Sequence, residues 1–200
     1  MIINETDNDS MWATSLHKKS KVGGLLGLLD SKILKENFYQ PFLSLNETKH
    51  FFAVNDNQVL LPIGYLGYRE NANKKPFELP IKDYKLIRNL IGIFLKDVKY
   101  LVLAINVIKT EKVTQRKLRK IIDQYDEIQI VAVETGAQSS GVGSEMMRHL
   151  VSLFPNRYML VKTQNKNNIN FYEKFNFKLI NCSKMSKFTI FVLLRSPTDE

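Results

Sequence analysis

The chain has 200 residues, of which 44% are hydrophobic and 24% are charged, and this composition excludes wholesale disorder and fibrous repeats. A single cysteine, Cys182, excludes an internal disulfide framework and a cysteine-based zinc site, and the three histidines have no metal-ligand spacing. The formal net charge of +9 favours an acidic partner: a nucleic acid, a membrane surface or a phosphorylated cofactor.

The first half of the chain predicts helices and one β-hairpin. Residues 1–10 are polar, and we expect them to be loose. Apolar side chains recur at helical spacing over 25–34. Segments 51–54 and 58–69 predict the two strands of a hairpin, with Pro62 indicating an edge strand or a bulge. No apolar run reaches the roughly 20 residues of a membrane span, and residues 1–20 lack a signal-peptide core, so we expect a cytoplasmic protein without a membrane partner.

From residue 82 onward, the chain alternates between helical and strand patterns. The apolar spacing predicts helices over 82–99, 110–125, 141–154 and 167–175. Apolar runs predict strands over 100–108, 128–133, 157–163, 177–181 and 187–195. This alternation, followed by two terminal strands, predicts one mixed α/β domain over 1–200.

A glycine- and serine-rich turn joins the strand at 128–133 to the helix at 141–154, and it reads Gln138-Ser139-Ser140-Gly141-Val142-Gly143. Such a turn exposes successive backbone N–H groups at the positive end of a helix dipole, which suits a phosphate or pyrophosphate. A Walker A loop is excluded because Val142 and Gly143 replace its lysine and hydroxyl residue. A dinucleotide fingerprint is weak because Met146 occupies the third glycine position.

The turn instead matches the pattern Arg/Gln-x-x-Gly-x-Gly/Ala, and a second segment downstream matches Asn-x-x-Ala-x-x-Phe-Tyr-Glu-Lys-x-Gly-Phe. The second match holds at Asn165, Phe171, Tyr172, Glu173, Lys174 and Phe177. Asn168 and Asn176 replace the usual small residue and glycine, and asparagine tolerates a left-handed backbone better than most residues. With both motifs in the expected order and context, the chain resembles the GNAT superfamily of N-acetyltransferases over about residues 127–195.

The resemblance implies a mixed, mostly antiparallel sheet flanked by helices, with acetyl-CoA as co-substrate and no metal. The motif-bearing core would be 127–195, with a helical N-terminal region over 1–50. Relatives usually run from the hairpin directly into the motif strand, so either the predicted hairpin is misassigned or 70–125 is an insertion. The residues implied in acetyl-CoA binding are Val131, Ala132 and Val133 for the pantetheine arm, Gln138, Ser139, Ser140, Gly141, Val142, Gly143 and Ser144 for the pyrophosphate, and Asn165.

The same resemblance assigns Tyr172 to the leaving thiolate as its proton donor. An alkyl ammonium has a pKa of about 10.4, so a base must remove its proton before it attacks a thioester. We expect a backbone N–H near Val133 to stabilise the oxyanion. Some histone-type members place a glutamate where Glu127 stands, and strand alternation predicts that Glu127 faces the same side as Gln129, Val131 and Val133. Glu134 is the other nearby carboxylate.

Structural roles compete with these assignments: Tyr172 could be a core aromatic and Glu127 a solvated turn residue. The expected acceptor is a small-molecule or peptide amine. A nucleic-acid-borne amine such as aminoacyl-tRNA is not favoured, because the basic helix face at Lys112, Arg116, Arg119 and Lys120 lacks interleaved aromatic residues. A non-catalytic acyl-CoA-binding module and a homodimer both remain open.

Overall fold

Seven strands form one sheet in the computed structural model of this chain. The structure describes residues 2–5, 10–19, 48–54, 62–72, 91, 105, 109, 112–118, 120, 122–184 and 189–197. The strands are β1 (Ile2–Glu5), β2 (Thr48–Val54), β3 (Pro62–Arg69), β4 (Asp126–Val133), β5 (Met159–Thr163), β6 (Phe177–Lys184) and β7 (Thr189–Arg195). They lie in the order β1-β2-β3-β4-β5-β7-β6.

All neighbouring strands are antiparallel except β4 and β5, which run parallel. The described helices are α1 (Ser10–Lys19), α2 (Val142–Leu153) and α3 (Asn167–Glu173), and residues 112–118 are also helical. The expected mixed, mostly antiparallel sheet flanked by helices is therefore confirmed. Within the described ranges, no helix has the length and apolar character to cross a membrane.

Each face of the sheet has its own apolar core. On what we call the helix face, side chains of α2 and α3 pack against β2 to β7, with Met147, Leu150 and Phe177 almost fully buried. On the opposite face, Leu118, Ile122 and Tyr125 pack against Leu160 of β5 and against β7. Because neighbouring residues of a strand point to opposite faces, membership in these two cores shows which way each β4 and β5 side chain points.

The close approach of α2 to the sheet depends on Gly64 in β3. A Cβ atom at this position would lie 2.8 Å from both the Cε of Met146 and the Cγ1 of Val142. The absence of a side chain there lets the first turns of α2 lie directly against the middle of the sheet, which fixes where the N-terminus of α2 points.

Most predicted elements are present, with ends shifted by a few residues. The hairpin forms from β2 and β3, and its register is irregular where Val54 pairs with Pro62, as the proline indicates. The predicted helix over 82–99 is helical at Ile91, and the rest of it lies outside the described residues, as does the predicted helix over 25–34.

Two expectations are wrong, and a third holds only over 112–118. Residues 2–5 form β1 rather than a loose terminus. Pairing with β2 provides hydrogen-bond partners for their backbone N–H and C=O groups, and this does not depend on their side chains. The predicted strand over 100–108 is helical at Ile105, which is 43% exposed, since an apolar run cannot distinguish a strand from a helix. The predicted helix over 110–125 is not helical at 122–125, where the Tyr125 carbonyl accepts a hydrogen bond from Ala72 N.

Candidate functional site

The site lies where β4 and β5 separate. The two strands pair at only three positions, Asp126 with Met159, Glu127 with Leu160 and Ile128 with Val161. Beyond this point β4 continues to Val133 without β5 beside it. The resulting wedge widens into a groove of about 960 Å³, bounded by β4, β5, the N-terminus of α2 and one side of α3.

Buried polar contacts hold the narrow end of the wedge closed. The Asp126 carboxylate accepts a 2.5 Å hydrogen bond from the Tyr68 hydroxyl and a 2.8 Å bond from the Asn71 backbone N–H. The buried Arg195 guanidinium donates to the Pro155 carbonyl at 3.1 Å, which ties the segment leading into β5 to the end of β7. Fixed at this end, the two strands separate only at the other.

The separated part of β4 presents backbone groups to the groove. Glu134 N donates to the Ile63 carbonyl at 2.8 Å, and Ala132 lies opposite Tyr65 in the β3–β4 register. Since alternate residues of an antiparallel strand turn their backbone groups to opposite sides, those of Val131 and Val133 point away from β3 and into the groove. The Val133 carbonyl there accepts a 3.2 Å hydrogen bond from Gln138 Nε2.

A tight turn carries the chain from β4 to α2. A single 3₁₀ turn spans Thr135–Ala137, and Ser139 and Gly141 then take positive φ values of 67° and 91°. Helix α2 begins at Val142, and no side chain caps its N-terminus. The N–H groups of the first helical turn have no acceptor within the helix, so they are available to an anion in the groove.

Asparagines and a threonine order the other wall. Asn165 Oδ1 accepts a hydrogen bond from Asn167 N at 3.0 Å, and Thr163 Oγ1 accepts from Asn165 N at 3.2 Å and from Asn168 Nδ2 at 3.1 Å. These contacts connect the end of β5 to the start of α3. Asn176, which stands where the motif usually has glycine, has a φ of +64°, so the replacement keeps the left-handed turn after α3.

Tyr172 lines the groove from α3 and is 6% exposed. Its ring packs against Phe171 and Phe177, with centroid separations of 5.1 and 5.8 Å. Its hydroxyl has no hydrogen-bond partner among the residues that the structure describes, and burial raises the pKa of this phenol well above its usual value of 10.0. The hydroxyl therefore stays protonated at neutral pH and can donate a hydrogen bond to a group in the groove.

A β-bulge in β4 overturns the expected orientation of Glu127. Tyr68 of β3 pairs with Ile128 and Gly67 pairs with Ile130, which leaves Gln129 as an extra residue. Ile128, Val131 and Val133 consequently all contact the core of the helix face. Glu127 lies on the opposite face, and the prediction that it points the same way as Val131 and Val133 is wrong because simple alternation does not continue through a bulge.

Glu127 sits among polar partners on that face. Its Oε1 is 2.7 Å from Lys162 Nζ, and its Oε2 accepts a 2.7 Å hydrogen bond from Gln129 Nε2. Its side chain is 15% exposed. Gln129 and Lys162 line the groove and Glu127 does not, so Glu127 lies behind them.

The structure brings most of the sequence-predicted site residues to one groove. Those lining it are Val131, Ala132, Val133, Gln138, Ser139, Gly141, Gly143, Ser144, Asn165 and Tyr172. Ser140 and Val142 do not line it: the Ser140 hydroxyl donates to the Ala137 carbonyl at 2.6 Å, and Val142 is buried against Gly64. Sequence analysis missed Gln129, Lys162, Thr163 and Asn168, although the polar Lys162-Thr163-Gln164 run after the apolar β5 positions could have indicated Lys162 and Thr163. In the described ranges, no cluster of histidine, cysteine, aspartate or glutamate could hold a metal ion.

Comparisons with known proteins agree with this geometry. Residues 99–179 match the family model described as an acetyltransferase (GNAT) domain. No curated protein matches the chain at a significant level.

Solved structures of similar fold cover nearly the whole chain. One is described as histone acetyltransferase HPA2 and related acetyltransferase from Corynebacterium glutamicum, with a TM-score of 0.62, 8% identity and coverage of 99% of this chain and 97% of that chain. Another is NAA60 of Arabidopsis thaliana in complex with a bisubstrate analogue, with a TM-score of 0.58, 10% identity and coverage of 96% and 97%. A third, the NatC complex bound to Gag peptide and CoA, has a TM-score of 0.54, 11% identity and coverage of 99% and 100%.

The solved structures share the fold, and the domain match lies over the segment that contains β4, α2, β5 and α3. These elements build the groove. Residues 99–179 therefore match a GNAT acetyltransferase domain, and the chain as a whole shares the fold of the solved structures.

Proposed function

We propose that this protein transfers the acetyl group of acetyl-CoA directly to a primary amine. The observation that carries the proposal is the groove itself, which begins between two separated parallel strands and ends at the uncapped N-terminus of α2. Such a groove suits an elongated ligand that has an amide-containing arm at one end and a pyrophosphate at the other.

The pyrophosphate would lie at the turn before α2. The backbone N–H groups there and the positive end of the helix dipole favour a dianionic group. The positive φ of Gly141 turns the chain so that these groups face the groove, and nothing in the described structure lies within 4 Å of a Cβ placed at this position. The backbone groups of Val131 and Val133 that point away from β3 would form hydrogen bonds with the amides of the pantetheine arm. These bonds would replace the ones that β5 would make if it still paired with β4 at this point.

Acetyl-CoA would supply an acyl group on a good leaving group, a thiolate with a pKa of about 8.5. The amine attacks the thioester carbonyl, and the N–H of Val133 or Val131 would donate to the carbonyl oxygen as negative charge develops on it. The C–S bond then breaks, and the protonated hydroxyl of Tyr172 would give its proton to the leaving sulfur. No covalent enzyme intermediate is required.

Glu127 is our candidate for the group that takes the amine proton. The β-bulge puts it on the face opposite to Tyr172, so the acceptor would approach from one side of the sheet and the proton donor from the other. Glu127 lies behind Gln129 and Lys162, and we expect the proton to reach it through Lys162 or a water molecule.

A small-molecule or peptide amine is the proposed acceptor. The similar structures include one bound to a peptide and CoA and one bound to a bisubstrate analogue, which supports a peptide amine as the first class to test. An exposed, unpaired Cys182 fits the reducing cytoplasm, which we propose as the compartment.

Calorimetric titration with acetyl-CoA tests this proposal. The parent protein should bind acetyl-CoA, and a Gly141→Asp variant should lose binding, because the carboxylate places negative charge where the pyrophosphate should lie. Gly136→Asp is the matched control: it adds the same charge to the same turn at another exposed glycine. Absence of binding by the folded parent would refute the acetyltransferase proposal, and equal loss in both variants would refute the assigned position of the pyrophosphate.

A further inference from the structure

Lys162 occupies a distinctive position in the groove. It is the first residue of β5 beyond the last β4–β5 pair, which Val161 makes with Ile128. Val161 belongs to the core of the helix face, so strand alternation turns Lys162 toward the opposite face, where Glu127 lies. Its side chain is 22% exposed and lines the groove, which places a primary amine at the point where the two strands begin to separate.

This amine already contacts the candidate base. Lys162 Nζ lies 2.7 Å from Glu127 Oε1, while Gln129 Nε2 fixes the other carboxylate oxygen. A 2.7 Å separation allows proton transfer between the two groups without any rearrangement. The groove thus has an amine within hydrogen-bond distance of a base, which is what the proposed reaction requires of its acceptor amine.

From this arrangement we propose that Lys162 is a self-acetylation site, modified by acetyl-CoA bound in the same molecule. This inference rests on the proposed function. Glu127 Oε1 takes a proton from the Lys162 ammonium, and the freed nitrogen attacks the thioester carbonyl. The N–C bond forms, the nitrogen releases its second proton to solvent, the C–S bond breaks and the sulfur leaves as the CoA thiolate, which is protonated by Tyr172 or solvent. The products are N-acetyl-Lys162 and CoA, and no further reactant is needed.

Other lysines of the described structure lack this combination. Lys174 lines the groove from the end of α3, but it has no hydrogen bond or ion pair with the other residues that the structure describes. Lys178 is exposed on the edge strand β6, outside the groove. Acetylation of Lys174 therefore gives the background rate for an amine in the groove, and acetylation of Lys178 gives the background rate for an amine on the surface.

The test is to incubate the purified protein with acetyl-CoA and no added amine, then to quantify acetylation of each lysine by peptide mass spectrometry. We expect Lys162 to be acetylated at least about tenfold faster than Lys174 or Lys178, because its amine is held at the reacting position. The rate per molecule should not change when the protein is diluted. Lys162→Arg should abolish the mark while keeping the charge opposite Glu127, and Lys178→Arg should leave the mark at Lys162 unchanged.

Three results would overturn the inference. One is an unmodified Lys162 in a protein that binds acetyl-CoA in the calorimeter and acetylates an added amine, an outcome that leaves the proposed function standing. Another is equal labelling of Lys162 in the Gly141→Asp variant, which would show chemical acetylation without bound acetyl-CoA. A rate per molecule that rises with protein concentration would show transfer between molecules. Failure of acetyl-CoA to bind would refute the proposed function itself.

Discussion

Two exposed glycines in the turn before α2 give a controlled test of its geometry. Gly141 has a φ of +91°, whereas Gly136, in the same turn, is not among the residues with positive φ. A Cβ atom at either position would meet nothing within 4 Å in the described structure. Replacing each glycine with alanine therefore differs in the conformational free energy of the backbone, and at neither site does the new methyl group clash with a neighbour that the structure describes.

The magnitude follows from this difference. An alanine held in a left-handed conformation costs about 1–2 kcal/mol, and this cost lowers the free energy of unfolding of Gly141→Ala. In both variants the alanine also restricts the unfolded chain, which stabilises a protein by about 0.4–1 kcal/mol, and at Gly136 no conformational penalty offsets this gain. Because the effect on the unfolded chain is common to both variants, they should differ by about 1–2 kcal/mol.

Urea denaturation followed by circular dichroism measures this difference. With a slope of about 2 kcal/mol per molar urea, the midpoints of the two variants should lie about 0.5–1 M apart, with Gly141→Ala the less stable. Equal midpoints would mean that residue 141 does not need the left-handed conformation. The proposed presentation of N–H groups at the start of α2 would then be refuted.

Three further changes test other parts of the structure. Tyr172→Phe should lower kcat for acetyl transfer about 100-fold and change acetyl-CoA affinity by less than about threefold, and exposed Tyr158→Phe should change neither. Gly64→Ala should destabilise the protein by about 1–3 kcal/mol in urea melts, because its Cβ would lie 2.8 Å from Met146 Cε; an unchanged midpoint would contradict the close packing of α2. Burial lowers the pKa of His50 from 6.5 to about 4, so its protonation favours the unfolded chain. The free energy of unfolding should fall by about 2 kcal/mol between pH 8 and pH 5, and a His50→Gln variant that keeps the full fall would refute this assignment.

The elements around the groove could be predicted because their signals are local. The apolar run at 128–133, the turn with Gly141 and the helical spacing after it specify a strand, a turn and a helix within a few residues of one another. The second motif specifies α3 in the same way. The structure differs from these predictions only at the ends of the elements.

The features that the sequence did not reveal depend on pairs of distant segments. The bulge at Gln129 exists only relative to the register of β3, and nothing in the β4 sequence indicates an extra residue. The role of Gly64 depends on the packing of Val142 and Met146 against it from another element. The short strand β1 forms because it pairs with the otherwise unpaired edge of β2.

The bulge has the largest consequence for the proposed mechanism. Without the extra residue, Glu127 would point to the helix face, into the packed core that contains Val131 and Tyr172. With it, a carboxylate and the Lys162 amine lie together on one face, and the Tyr172 hydroxyl lies on the other. The open wedge between β4 and β5 is the passage that connects the two faces. A thioester bound in that wedge would be accessible to the amine on one face of the sheet and to the proton donor on the other. Each group could therefore contact the thioester from its own face of the sheet.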